Sequence, residues 1–80
     1  MIPVRITNKQ VKYDQDHDIL HVFFYPEELS VDDEDYPGIV IRRSIKDDRV
    51  TGIMIMDYSR RSKDLLRTVL PRYDFKEIYL

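Results

Sequence analysis

Residues 50–61 read "VTGIMIMDYSRR", and the run Ile53-Met54-Ile55-Met56 inside them governs how the rest of the chain is arranged. The run reads as a strand. Successive strand side chains point to opposite faces of a sheet, so a half-buried antiparallel strand alternates apolar with polar. This one is apolar on both sides. Ile53 and Ile55 point one way, and Val50, Met54 and Met56 point the other. Each face therefore needs its own cover.

Working upstream, "IVIRRSI" (39–45) is a strand opened by Pro37-Gly38, and "KDDR" (46–49) turns it back into 50–58. Two strands about a short polar turn form a hairpin, and the lack of glycine in that turn predicts a longer loop built on a type I turn. Further upstream, "ILHVFFY" (19–25) is rich in β-branched and aromatic residues and ends at Pro26. "VKYD" (11–14) is a short strand joined to it by the turn-forming "DQDHD". Residues 27–37, "EELSVDDEDYP", carry six carboxylates and read as an acidic, mobile connector.

Downstream of Tyr58 the period changes. "SRRSKDLLRTVL" places Leu65, Leu66, Val69 and Leu70 at helical spacing, with Ser59 or Ser62 as a cap and Pro71 as the stop. "MIPVRIT" at the start has Ile2, Val4 and Ile6 at strand spacing. At the end, "RYDFKEIYL" is either a fifth strand or an arm reaching onto another chain. The predicted fold is α+β: an antiparallel sheet of four strands packed on one C-terminal helix, in the order ββββα. All 80 residues form one domain, with a strand-like extension over 1–10 and the helix and tail over 62–80.

Composition narrows the function. The chain has no cysteine, which removes disulfides and thiolate metal sites and fits an intracellular protein. It has no signal pattern, and no apolar run nears the roughly 18 residues of a membrane span, so a cytoplasmic location is expected. The net charge of −2 conceals an asymmetry, with nine acidic and three basic residues in 1–36 and ten basic against five acidic in 37–76. That polarity favours oriented pairing of chains or docking on a charged partner. The basic residues Arg42, Arg43, Arg60, Arg61, Lys63 and Arg67 are candidates for phosphate contacts, but an acidic domain is a poor nucleic-acid binder.

Chemistry-bearing constellations are sparse. Asp14, Asp16 and Asp18 alternate as at the head of an EF-hand loop, but Ile19 and Tyr25 stand where that loop needs its glycine and its bidentate glutamate. His17 and His21 with these aspartates are the one metal-binding or enzymatic alternative, and turn-and-strand spacing does not bring them together. No glycine-flanked serine or triad-like set is present, so no catalytic residue and no cofactor is assigned.

The stretches "VKYDQDHDILHVFFY" and "YPGIVIRRSIKDDRVTGIMIMDYSRR" resemble the small bacterial DUF2283 family over residues 11–61. The matching positions are Tyr13 and Asp14, Asp18 and Leu20, Pro37-Gly38, Gly52-Ile53, Ile55, Asp57, Ser59 and Arg61. His21 replaces a usual tyrosine, Met54 replaces a usual glutamate, and the "SIKDDRVT" turn is longer and lacks its glycine. The resemblance implies no activity or catalytic residue. It implies a regulatory, antitoxin-like role beside a basic toxin-like protein, which the acidic residues Glu27, Glu28, Asp32, Asp33, Glu34 and Asp35 would meet.

Faces then decide assembly. One short helix covers one face, and Leu20, Val22, Phe24, Ile53 and Ile55 form the preferred set. Phe23, Tyr25, Val40, Met54 and Met56 remain, sheltered either by the terminal segments or by a second copy. The expectation is a homodimer through these residues, with Tyr73 and Phe75 of the tail contributing.

Overall fold

The computed structural model describes residues 2–78; Met1, Tyr79 and Leu80, at the ends of the expected extension and tail, lie outside the described residues. The strands are β1 (Val4–Arg5), β2 (Val11–Asp14), β3 (Ile19–Phe23), β4 (Ser30–Tyr36), β5 (Ile39–Ser44), β6 (Val50–Met56) and β7 (Tyr73–Asp74), and the helix is α1 (Lys63–Val69). Five of them form one antiparallel sheet in the order β2-β3-β6-β5-β4, so β6 is its middle strand. Its core-facing isoleucines are flanked on both sides. Ile53 pairs with Val22 and Ile41, and Ile55 with Leu20 and Ile39.

Those six side chains are buried with Ile6, Tyr58, Leu66, Leu70, Phe75 and Ile78 in one core. The α+β architecture and the helix-covered face are as the sequence implies. Helix α1 begins where Ser62 accepts a hydrogen bond from the Leu65 N–H, and it turns Leu66 and Leu70 onto the sheet. The hairpin loop Ile45–Arg49 closes on a Ser44 N–H···Arg49 O bond, with Asp48 at positive φ where a glycine is more usual.

Two expectations are corrected. The acidic stretch is no mobile connector: most of it is the fifth strand, β4, at the sheet edge. Aspartate and glutamate are poor strand formers, but here the neighbouring strand compensates them. Arg42 pairs with Asp32 at 2.9 Å, and Arg43 reaches Asp33 and Asp35 at 3.5 and 3.1 Å. Exposed pairs of this kind contribute little each. Together they offset the mutual repulsion of the carboxylates and pair the two halves of the chain's charge.

The second correction concerns the tail. β7 pairs in parallel with β1, Val4 opposite Tyr73, and both termini lie on the same face as the helix. Phe75 is only 4% exposed within its own chain, so it serves the core and is not free to reach a second copy. Tyr73 likewise stacks on Phe24, with ring centroids 5.6 Å apart. Helix and termini thus crowd onto one face. Among the described residues no element lies over the other.

The two faces should respond differently to truncation. Ile55→Ala is expected to cost about 2–5 kcal/mol, enough to unfold much of a domain this small. Met54→Ala, one residue away on the open face, is expected to cost the isolated chain less than half as much. Urea titration followed by circular dichroism measures both.

Candidate functional site

The turn between β2 and β3 is built around carboxylates. Asp14 accepts the His17 N–H at 3.2 Å and the His17 ring nitrogen at 2.8 Å, and Asp18 takes positive φ, which aspartate tolerates better than most residues. Asp18 then reaches across the fold. Its Oδ1 accepts the Tyr13 hydroxyl at 2.6 Å and the Ser59 N–H at 2.9 Å, its Oδ2 accepts the Ser59 hydroxyl at 2.7 Å, and its backbone oxygen accepts the Tyr58 N–H at 3.1 Å. One aspartate ties the first hairpin to the exit of β6, 41 residues away.

The protonation equilibria follow from this wiring. Hydrogen bonds from Tyr13 and Ser59 hold the Asp18 carboxyl below the ordinary aspartate range. The bond to Asp18 raises the Tyr13 hydroxyl in return. The His17 contact lowers Asp14.

A second knot joins β6 to the β4–β5 turn. Arg61 donates from Nε to the Met56 carbonyl at 2.6 Å and from a terminal nitrogen to the Pro37 carbonyl at 2.9 Å. Gly38 sits beside it at φ +79°, and a Cβ there would collide with the Arg61 guanidinium. A Pro-Gly turn with positive φ at glycine is therefore what this junction accepts. The positions that look most like a functional motif, namely Tyr13, Asp18, Pro37-Gly38, Asp57, Ser59 and Arg61, close the ends of the sheet. The family model described as "Protein of unknown function (DUF2283)" matches residues 10–59, more than half of the chain. The chain belongs to DUF2283. Comparisons with curated proteins and with solved structures find no match. The DUF2283 positions thus account for architecture and carry no assigned chemistry.

The candidate site lies elsewhere, on the uncovered face. Register places Lys12 of β2, Ile19, His21 and Phe23 of β3, Gly52, Met54 and Met56 of β6, Val40 and Arg42 of β5, and Asp32 and Glu34 of β4 on it. Phe23 is 38% exposed, while Ile19, His21, Met54 and Met56 are half-buried by one another. Gly52 leaves a notch of about 200 Å³ bordered by Phe23, Val40, Arg42 and Met54. Glycine is required there, because an added Cβ would lie 2.8 Å from the Val22 carbonyl of the neighbouring strand.

Of the expected interface residues, Phe23, Val40, Met54 and Met56 share this surface. Tyr25 does not. Phe24 and Tyr25 both donate to the Thr51 carbonyl, which breaks the alternation, and the Tyr25 ring turns under Arg49 at 4.1 Å. Ile19 and Gly52 share the face by alternation within β3 and β6, whereas Lys12 and Glu34 join it only through cross-strand pairing, which no single stretch of sequence displays.

His17 and His21 do not converge. His17 is held by Asp14 in the turn, whereas His21 stacks on Phe23 at 6.1 Å. Among the described residues no group of three histidine, aspartate or glutamate side chains is arranged to hold a metal ion. The basic residues are mostly committed within the fold. Lys63 donates to the Tyr58 hydroxyl and the Phe75 carbonyl, and Arg67 pairs with Asp64. Among the acidic residues, Glu28 pairs with Arg49, Glu34 accepts the Gly38 N–H, and Glu27 lies exposed in the β3–β4 connection. Among the described residues no helix is long and apolar enough to cross a membrane.

Asp18 gives a pH signature with a definite sign. Its folded-state value is depressed, so its stabilisation is complete above the unfolded aspartate value of about 3.9. It is lost as pH falls through the lower folded value. Asp18→Asn is expected to lower Tm by several degrees at pH 7, and the gap to wild type is expected to close towards pH 2–3. Thermal melts across that range check it.

Proposed function

We propose that this domain is a protein-interaction module that acts as a homodimer, with the open face of the sheet as its working surface. One observation carries the reading: among the described residues the helix and both terminal segments cover one face, leaving Phe23 exposed and Ile19, Met54 and Met56 only half-buried on the other. Apolar surface of this kind, rimmed by charge, is characteristic of contact sites. A small domain gains disproportionately from burying it. In place of the glutamate usual in DUF2283, Met54 makes the centre of the surface apolar.

The role this supports is regulatory and antitoxin-like, in the cytoplasm. The exposed carboxylates of β4 draw a basic, toxin-like protein towards the dimer, since a concentrated charge of one sign accelerates encounter. That surface is the strand edge, where Asp32, Asp33 and Asp35 are also paired to arginines.

Light scattering across a chromatography peak tests the homodimer. Untagged protein at micromolar concentration is expected at twice the 9.7 kDa chain mass. Met54→Glu is expected to run as a folded monomer. Wild-type protein that is monomeric at this concentration with undiminished stability would overturn the reading. Co-expression with the adjacent gene product then tests the role, a stable complex and restored growth being the expected result.

A further inference from the structure

The symmetry of that homodimer, resting on the reading above, is written in the charge pattern of the open face. The register aligns one row straight across all five strands: Lys12, His21, Met54, Val40, Glu34. The row begins in a cation, ends in an anion, and has Met54 at its centre on the middle strand. A neighbouring row runs Phe23, Gly52, Arg42, Asp32.

Two sheets stacked about 10 Å apart can be related by a two-fold axis lying between them in two ways. An axis running across the strands sets each strand over its own copy. With that axis over the Met54 row, Lys12 faces Lys12, His21 faces His21 and Glu34 faces Glu34, which places like charges together at both rims. An axis running along the strands through β6 sets β2 over β4 and β3 over β5. Lys12 of each copy then faces Glu34 of the other, Met54 meets Met54, His21 lies over Val40, and Phe23 receives Arg42 as a cation–π partner. We propose that two copies pack face to face about a two-fold axis parallel to the strands and passing through Met54, closed at both rims by Lys12–Glu34 ion pairs.

Two features of the free chain favour this arrangement. The Lys12 side chain makes no ion pair or hydrogen bond among the described residues, and Glu34 engages only one carboxylate oxygen, on the Gly38 N–H. Both are exposed at opposite rims. Gly52, with no side chain, lets the two middle strands approach where they lie over each other. Pairing through the free β4 edge is the competing route, and it sets Asp32, Asp33, Glu34 and Asp35 against the same carboxylates of the second copy, which repel. A face of five strands measures about 500 Å² per copy. The combined area of about 1,000 Å² is at the small end of specific interfaces, so rim charge makes a visible difference to affinity.

The test combines charge reversal with cross-linking. In sedimentation equilibrium, Lys12→Glu and Glu34→Lys are each expected to weaken dimerisation about tenfold or more, and the double variant to restore it to within about threefold of wild type. Because the chain has no native cysteine, Lys12→Cys protein can be mixed with Glu34→Cys protein and treated with a short bismaleimide of about 10 Å reach, the sheet spacing. Cross-links between the two variants, and none within either alone, are the expected result, and this readout survives if Glu34→Lys disturbs its turn. Cross-links within either variant alone place the axis across the strands and overturn the proposal. A dimer that neither reversal weakens and that the mixture of cysteine variants does not cross-link overturns it too. A wild-type monomer removes the homodimer reading itself, which the first measurement distinguishes.

Discussion

The structure depends on the burial of Ile53 and Ile55 on a strand that has a partner on each side. Because β6 is central, its core-facing residues are packed against Leu20 and Val22 on one side and Ile39 and Ile41 on the other. Once that face is fixed, everything with an apolar stripe competes to cover it. The helix supplies Leu66 and Leu70, the N-terminal segment Ile6, and the tail Phe75 and Ile78. A helix of only seven residues is too short to shield five strands by itself. The termini complete the layer, and their two-residue parallel ladder between β1 and β7 secures them to each other. The opposite face is open as a consequence of that shortage.

Polar contacts then hold the ends of the sheet at particular positions. Burial alone leaves the strand-end connections free to vary. Asp18 removes that freedom on one side by accepting from Tyr13 and Ser59, and Arg61 removes it on the other by bridging the Met56 and Pro37 carbonyls. Both are long-range in sequence and short-range in space. Their loss frees large loops, whose closure entropy the fold otherwise recovers through these contacts. A motif made of such residues resembles an active site in sequence, since it contains an aspartate, a tyrosine and a serine. Its geometry is that of a clasp.

The sequence made some of this legible and hid the rest for identifiable reasons. β3, β5, β6 and the helix announce themselves through β-branched runs and a helical stripe, and the two-sided apolarity of Ile53–Met56 already marks an unusual second face. β4 is invisible to propensity, because "VDDEDY" is stabilised by Arg42 and Arg43 on its neighbour and not by its own residues. Tyr25 misleads because alternation fails at the doubled hydrogen bond to Thr51. Phe75 and Tyr73 have strand spacing, but only the parallel ladder with β1 shows that they turn inward. Lys12 and Glu34 carry no local signal at all; their relation exists only once the four registers of the five-stranded sheet are aligned.

The arrangement of charge also sets the sheet edge apart from the face proposed for association. An exposed seven-residue edge strand is ordinarily a template for uncontrolled pairing. Four consecutive carboxylates on β4 make self-pairing at that edge repulsive, while the arginines of β5 keep the strand attached to its own sheet. The irregularity between Glu34 and Tyr36 interrupts the ladder further. The acidic stretch therefore opposes pairing at that edge, whereas the face proposed for assembly has the uncharged Met54 at its centre. A glutamate at that central position would, in two copies stacked along the strands, bring carboxylates together at the middle of the contact. Methionine carries no charge, so the stacking proposed above brings no such repulsion to its centre.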